Sequence, residues 1–227
     1  MESGRTKMAR TNVNEWSEAI ASSGSTLRPM RCEMRYNDAG AHISKDERYR
    51  YLLWREWRGT HDPKNWKWVE GAMDGKGDPL GEPRACLFIM LNPSTADGEQ
   101  DDPTIRRCVS FAARWNFERL EVVNLFAHRA TRPADLLALS YKDNLVGPEN
   151  QLWVERAAET AALIVCAWGV NGGYLDQGET MLGWIGQRPV FALGLTASGH
   201  PRHPLYVKGS AELRPYHGLG HHSESTP

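Results

Sequence analysis

The sequence predicts an α/β fold, a three-layer α/β/α arrangement around a central four-stranded, mainly parallel sheet, with an N-terminal strand ribbon added to it. Three observations carry that prediction. Four short apolar runs, CLFIML (86–91), LEVVNLF (120–126), ALIVCAW (162–168) and PVFALGL (189–195), punctuate the second half of the chain. Stretches of helical character lie between them, and strand–helix alternation of this kind is satisfied by parallel strands covered on both faces. The chain has 227 residues, 41% hydrophobic and 24% charged, which is enough for one substantial core.

Taken in order, residues 1–42 are rich in Ser, Thr, Arg, Asn and Gly with weak periodicity and read as a flexible N-terminal segment. The run YRYLLWREW (49–57) is dense in aromatics and favours a strand, for which Trp66–Val69 is a candidate partner. Residues 71–83 carry Asp-Gly, Lys-Gly, Asp-Pro and Gly-Glu-Pro punctuation and read as loop. The four apolar runs then alternate with helical stretches at 104–115, 133–139, 149–161 and 174–184, giving an α/β domain over 43–210 and a C-terminal tail at 211–227.

Composition excludes several classes. Lys and Arg total 27 against 28 Asp and Glu, so the chain is not a globally basic nucleic-acid binder, although local patches stay open. The apolar runs fall far short of the roughly 20 residues that cross a bilayer, so no membrane association is expected. Met1–Arg10 is polar and lacks a signal-peptide core, which places the chain in the cytoplasm as an expectation. Cys32, Cys86, Cys108 and Cys166 are scattered without a C-x-x-C pair, so neither a metal site nor another cofactor is expected, and Cys86 and Cys166 read as small core residues. There is no G-x-S-x-G elbow and no H-E-x-x-H. No obligate protein partner is evident.

In open parallel sheets the reactive groups gather beyond the carboxyl ends of the strands. Asn92-Pro93-Ser94 through Asp97 follow the first run, and an isolated Asn-Pro there can simply stop a strand. Asn124 interrupts the second run. A buried amide is costly without partners, so it reads as a residue with a specific polar role. Asp102 reads as a helix N-cap with Pro103 at the first helical position, whereas Asp97 has no such duty. Arg106, Arg107 and Arg114 form a solvated helix face by default, with phosphate contact as the competing account. WGVNGG (168–173) lacks the Lys and the spacing of a phosphate loop. In GHPRHPLY (199–206) two histidines lie on a Pro-stiffened turn able to hold an imidazole in place.

The order LNPSTAD, DDPTIRR, VVNLFAHRAT, AWG and LGLTASGHPRHPLY resembles a bacterial and phage domain family of unassigned function over roughly residues 49–208, and the motif order in turn resembles the uracil-DNA glycosylase superfamily. That resemblance implies a DNA glycosylase that extrudes a nucleotide from DNA and hydrolyses its N-glycosidic bond, leaving an abasic site. Asn92 matches the position that holds the attacking water, Asn124 the base-reading amide, and the histidine loop the group that supports the departing base. His200 and His203 are both eligible there, and His200 is favoured. An acid or base is assigned to Asp97, with Asp101 behind it. Pro93, Ser94 and His203 are assigned to the base pocket, and Arg106, Arg129, Arg202 and Leu205 to DNA. The chain departs from the superfamily pattern at Leu91 and Ser94, where a Gly and a ring-stacking aromatic are usual, and lacks its iron–sulfur cysteines. The expected substrate is therefore a modified pyrimidine, with glucosylated 5-hydroxymethylcytosine of phage DNA as the specific candidate and antiphage defence as the setting. The alternatives are a non-catalytic sensor of modified DNA and a nucleoside or nucleotide hydrolase.

Overall fold

A computed structural model describes residues 36–57, 84–94, 100–130, 136 and 144–219. They belong to one of the two units into which the chain divides, Glu33–Pro227; the other, Met1–Cys32, lies outside the described residues, as do Trp66–Val69 and the 71–83 loop. Leu136, buried, is the one described residue of the expected 133–139 helix.

Seven strands form one mixed sheet among the described residues: β1 (Asp38–Ile43), β2 (Arg50–Glu56), β3 (Ala85–Met90), β4 (Arg119–Asn124), β5 (Leu163–Cys166), β6 (Phe191–Ala192) and β7 (Arg214–Pro215), in the spatial order β1-β2-β4-β3-β5-β6-β7. The four apolar runs become β4, β3, β5 and β6, which are mutually parallel. The sheet is nevertheless larger than the four strands expected. β1 and β2 add antiparallel to one edge and β7 to the other. The aromatic ribbon strand pairs with β1 and β4, and residues 38–42, read from the sequence as part of the N-terminal segment, belong to edge strand β1. β6 is only two residues long because Pro189 has no N–H to give the ladder and Gly194, at φ 138°, turns the chain away.

Three described helices cover this sheet: α1 (Pro103–Arg114), α2 (Asn150–Thr160) and α3 (Gln177–Ile185). Side chains alternate across β3. Phe88 stacks on Trp115 at the end of α1, 6.2 Å between ring centres, while Leu87 and Ile89 enter a cluster with Val154, Ala157 and Ala158 of α2 and Met181 and Ile185 of α3. Each such side chain, fully removed from water, contributes roughly 1.5–3 kcal/mol. Cys86, Cys108 and Cys166 are buried, and burial pushes their thiols up in pKa, so they pack as inert small residues.

The helix ends set the strand ends in place. Asp102 caps α1 by accepting the Ile105 N–H at 2.7 Å, with Pro103 at the first position, and Asn116 in the left-handed region at φ 62° closes it. α2 starts on Asn150, fully buried, whose amide donates to the main-chain oxygens of Asn124 and Leu125 at 3.0 and 3.2 Å. That bond fixes the last residue of β4 against a rigid helix. Among the described residues no helix is long and apolar enough to cross a membrane.

Candidate functional site

Met90 and Asn124 are register partners, so β3 and β4 end level with each other. Beyond them the loops are laced together: Leu125 N–H donates to Met90 O (2.9 Å), Phe126 N–H to Leu91 O (3.0 Å), Ala130 N–H to Pro93 O (3.1 Å), and Gly169 N–H to Pro201 O (2.8 Å). Between these loops opens a cavity of about 560 Å³. Its floor is made by the strand ends, its sides by the start of α1 and the 168–171 segment, and its rim by residues 196–206. The position agrees with the rule that α/β sheets bind ligands beyond the carboxyl ends of their parallel strands.

Asn124 is 1% exposed and lies on the cavity floor, and its side-chain nitrogen has no hydrogen-bond partner. A buried donor left unmade costs about 1–3 kcal/mol. The fold therefore holds a polar group in readiness for something that enters. Replacing Asn124 by the apolar near-isostere Leu is expected to raise stability by about 1 kcal/mol, a Tm increase of roughly 2–4 °C for a chain this size, while abolishing ligand discrimination. Thermal unfolding beside a binding assay checks both halves; a loss of stability would mean that the amide serves the fold.

Asn92 also faces the cavity. Both hydrogens of its amide nitrogen are used, on Ala130 O (2.9 Å) and Pro93 O (3.1 Å), which leaves Oδ1 as the acceptor it can offer a ligand. Ser94 lines the wall and donates its hydroxyl to Asp102 Oδ2. Asp102 thus caps α1 through one oxygen and accepts Ser94 through the other, and it faces the cavity as well. A carboxylate with one hydrogen bond on each oxygen still has lone pairs to spare.

The histidine loop is pinned from several sides. Thr196 N–H donates to His200 O (2.8 Å), Arg202 N–H to Gly194 O (2.8 Å) and Arg202 Nε to Leu195 O (3.0 Å). From α1, Arg107 reaches across to the main-chain oxygens of Pro204 (3.4 Å) and Val207 (2.7 Å), and Arg114 to that of Ala211 (2.5 Å). These two arginines are clamps between α1 and the loop, not a solvated face.

Of the two histidines, His203 is on the cavity wall. His200, favoured from the sequence, is 9% exposed and sits instead in a separate small recess, its ring over Gly173. The His203 Nδ1 accepts the Leu205 N–H at 3.3 Å, so a neutral ring carries its proton on Nε2. Burial holds His203 below the usual imidazole pKa, with the Asp102 charge pulling weakly the other way.

The remaining sequence-selected residues divide. Ser94 and Arg202 line the cavity. Pro93 is buried behind the wall, and its oxygen accepts Asn92 and Ala130. Asp97 lies outside the described residues. Asp101 is committed elsewhere, paired with Arg55 at 2.8 Å and accepting the Tyr36 hydroxyl. Arg106 folds back on Asp101 O at 2.6 Å, and Arg129 donates to Glu47 O at 3.2 Å, neither on the cavity wall. Leu205 is exposed beside Tyr206.

Four wall residues were given no role in the site from the sequence: Arg50, Asp102, Trp168 and Tyr206. Trp168 owes its place to Gly172, where a Cβ would come within 1.9 Å of the indole. The Arg inside the otherwise apolar YRYLLWREW was the available signal for Arg50, which is buried on β2. Among the described residues no group of three or more His, Cys, Asp or Glu side chains is placed to hold a metal ion.

Neither the curated proteins nor the solved structures contain a significant match to the chain. A family model described as protein of unknown function (DUF1643) matches residues 50–205, a span that runs from Arg50 through His203 and so takes in nearly the whole cavity wall. The cavity at the strand ends is thus carried by the part of the sequence that defines the family, and the chain belongs to the DUF1643 family.

Proposed function

We propose that the protein is a DNA glycosylase whose cavity receives a nucleotide flipped out of DNA and hydrolyses its N-glycosidic bond. The observation that carries the reading is the buried, unpartnered Asn124 amide on the floor of a cavity that also presents Asn92, Asp102 and His203. An orphaned amide donor is suited to a carbonyl or ring nitrogen on the edge of a base. The surroundings of the mouth add support: Val170, Leu195, Leu205 and Tyr206 are all exposed apolar or aromatic residues on or beside it, and such side chains can fill the stack that an extruded base vacates.

Hydrolysis requires water oxygen to bond to the anomeric carbon while the carbon–nitrogen bond breaks and its electron pair leaves with the base. In this reading Asn92 Oδ1 accepts a hydrogen bond from the water, and the Asp102 carboxylate accepts the proton that the water loses. His203 donates from Nε2 to the base as negative charge develops there, and the base is protonated on release. Asp102 takes the part that the sequence gave to Asp97 or Asp101, because Asp101 is neutralised by Arg55. A bare pyrimidine fills only part of about 560 Å³, which favours a bulky substituent such as that of glucosylated 5-hydroxymethylcytosine, and with it a role against phage DNA.

The test incubates the purified full-length protein with unmodified, uracil-containing and phage-modified DNA. Alkaline cleavage reports abasic sites and mass spectrometry the released base. Free base from modified DNA, lost in Asn92→Ala, is the expected result. No free base from any DNA, or release that survives Asn92→Ala undiminished, overturns the reading.

A further inference from the structure

A second concavity, a groove of about 630 Å³, runs beside the cavity and shares Arg202 and Tyr206 with it. Its walls come from the loop after β6 and from residues 207–214 leading into β7. Three exposed cations line it, Arg202, Lys208 and Arg214, against one acidic residue, Glu212. Glu212 is itself close enough to Arg114 to raise that guanidinium's pKa, so the groove's positive excess is not cancelled by it. Tyr206 stands 77% exposed at the junction, its ring 5.6 Å from that of His203. Arg202 is held at the same junction by its main-chain N–H and its Nε, which leaves the outer guanidinium nitrogens facing outward from a fixed position.

A cationic groove with an exposed aromatic at one end matches the way proteins hold single-stranded nucleic acid: charge follows the backbone and a ring stacks a base. We propose that this groove is the track for the unpaired DNA strand that flanks the nucleotide in the cavity. Arg202 meets the phosphate of the inserted nucleotide, Lys208 and Arg214 meet phosphates further along, and Tyr206 stacks the neighbouring base. The assignment rests on the glycosylase reading and adds to it the direction in which the substrate leaves the site.

The test measures binding of the full-length protein to a fluorescent, unmodified single-stranded oligonucleotide by anisotropy across a salt series, together with base release from the modified DNA. The variants are Lys208→Gln with Arg214→Gln, both at exposed positions, and separately Tyr206→Ser. Loss of two phosphate contacts is expected to flatten the slope of log affinity against log salt by about 1.4, at about 0.7 per contact on a single strand. Tyr206→Ser is expected to weaken binding roughly five- to hundredfold, the loss of one base–aromatic stack. The double variant keeps the base-release rate at saturating DNA. If affinity and salt slope are unchanged in both variants while the wild type still releases base, the groove is not the track and the glycosylase reading stands. If the variants weaken binding as expected but no DNA yields free base, the track stands and the glycosylase reading falls. A wild-type protein that binds no oligonucleotide overturns both.

Discussion

Exchanging His203 for Gln is expected to slow base release by about 10²–10³-fold, the usual cost of removing one donor aimed at developing charge. The matched exchange at His200 is expected to leave the rate within a few-fold of wild type. The two residues are three positions apart on one Pro-stiffened loop, yet only one faces the cavity. His200 packs its ring over Gly173 and uses its main chain to hold Thr196, so its loss is read in thermal stability. Single-turnover base release by the two variants decides the matter, and a larger loss at His200 would remove His203 from the reaction.

The His203 exchange also has a pH signature that does not depend on the reaction. Its imidazole pKa is lowered in the folded protein, mainly by burial. The unfolded chain therefore takes up a proton near pH 6.5, the ordinary imidazole value, before the folded protein does. The contribution of neutral His203 is fully present above that pH and is lost as pH falls toward the lower folded value. In His203→Gln the corresponding slope of stability against pH disappears. Unfolding in denaturant over mildly acidic pH measures it.

The parallel core was legible because β3, β4 and β5 are nearly uninterrupted runs of apolar residues, the mark of strands covered on both faces. Asn92 and Asn124 stood out for the same reason: polarity at the end of such a run is conspicuous, and both reach the cavity. β1 gave no comparable signal. DAGAHI is small and polar because it is an edge strand, and an edge needs little apolar surface. β7 is two residues long and left no pattern to read. The choice between His200 and His203 turned on where each side chain points on an irregular loop, which depends on the ties to Gly194, Gly169 and Arg107 rather than on any periodicity. Asp102 was read correctly as a helix cap, and the cap concealed that the same carboxylate faces the cavity.

That double position makes Asp102 the residue whose substitutions separate fold from chemistry. Asn is as good an N-cap as Asp, so Asp102→Asn is expected to keep nearly all of the wild-type stability, while Asp102→Ala loses the cap and about 1 kcal/mol, or roughly 2–4 °C in Tm. Base release is expected to fall by about 10²–10⁴-fold in both, because neither side chain can take a proton from water. Ser94→Ala, which removes the hydroxyl on Asp102 Oδ2 but leaves the carboxylate, is expected to give a smaller fall. The charge has a second reporter in His203, whose pKa Asp102 raises against the larger effect of burial. Removing that charge must move the His203 titration to lower pH, which NMR of the ring proton follows without any substrate. A variant Asp102→Asn that kept the wild-type rate while its His203 titration moved as expected would leave Asp102 as a cap and a neighbour of the histidine, and the water would have to lose its proton to another group.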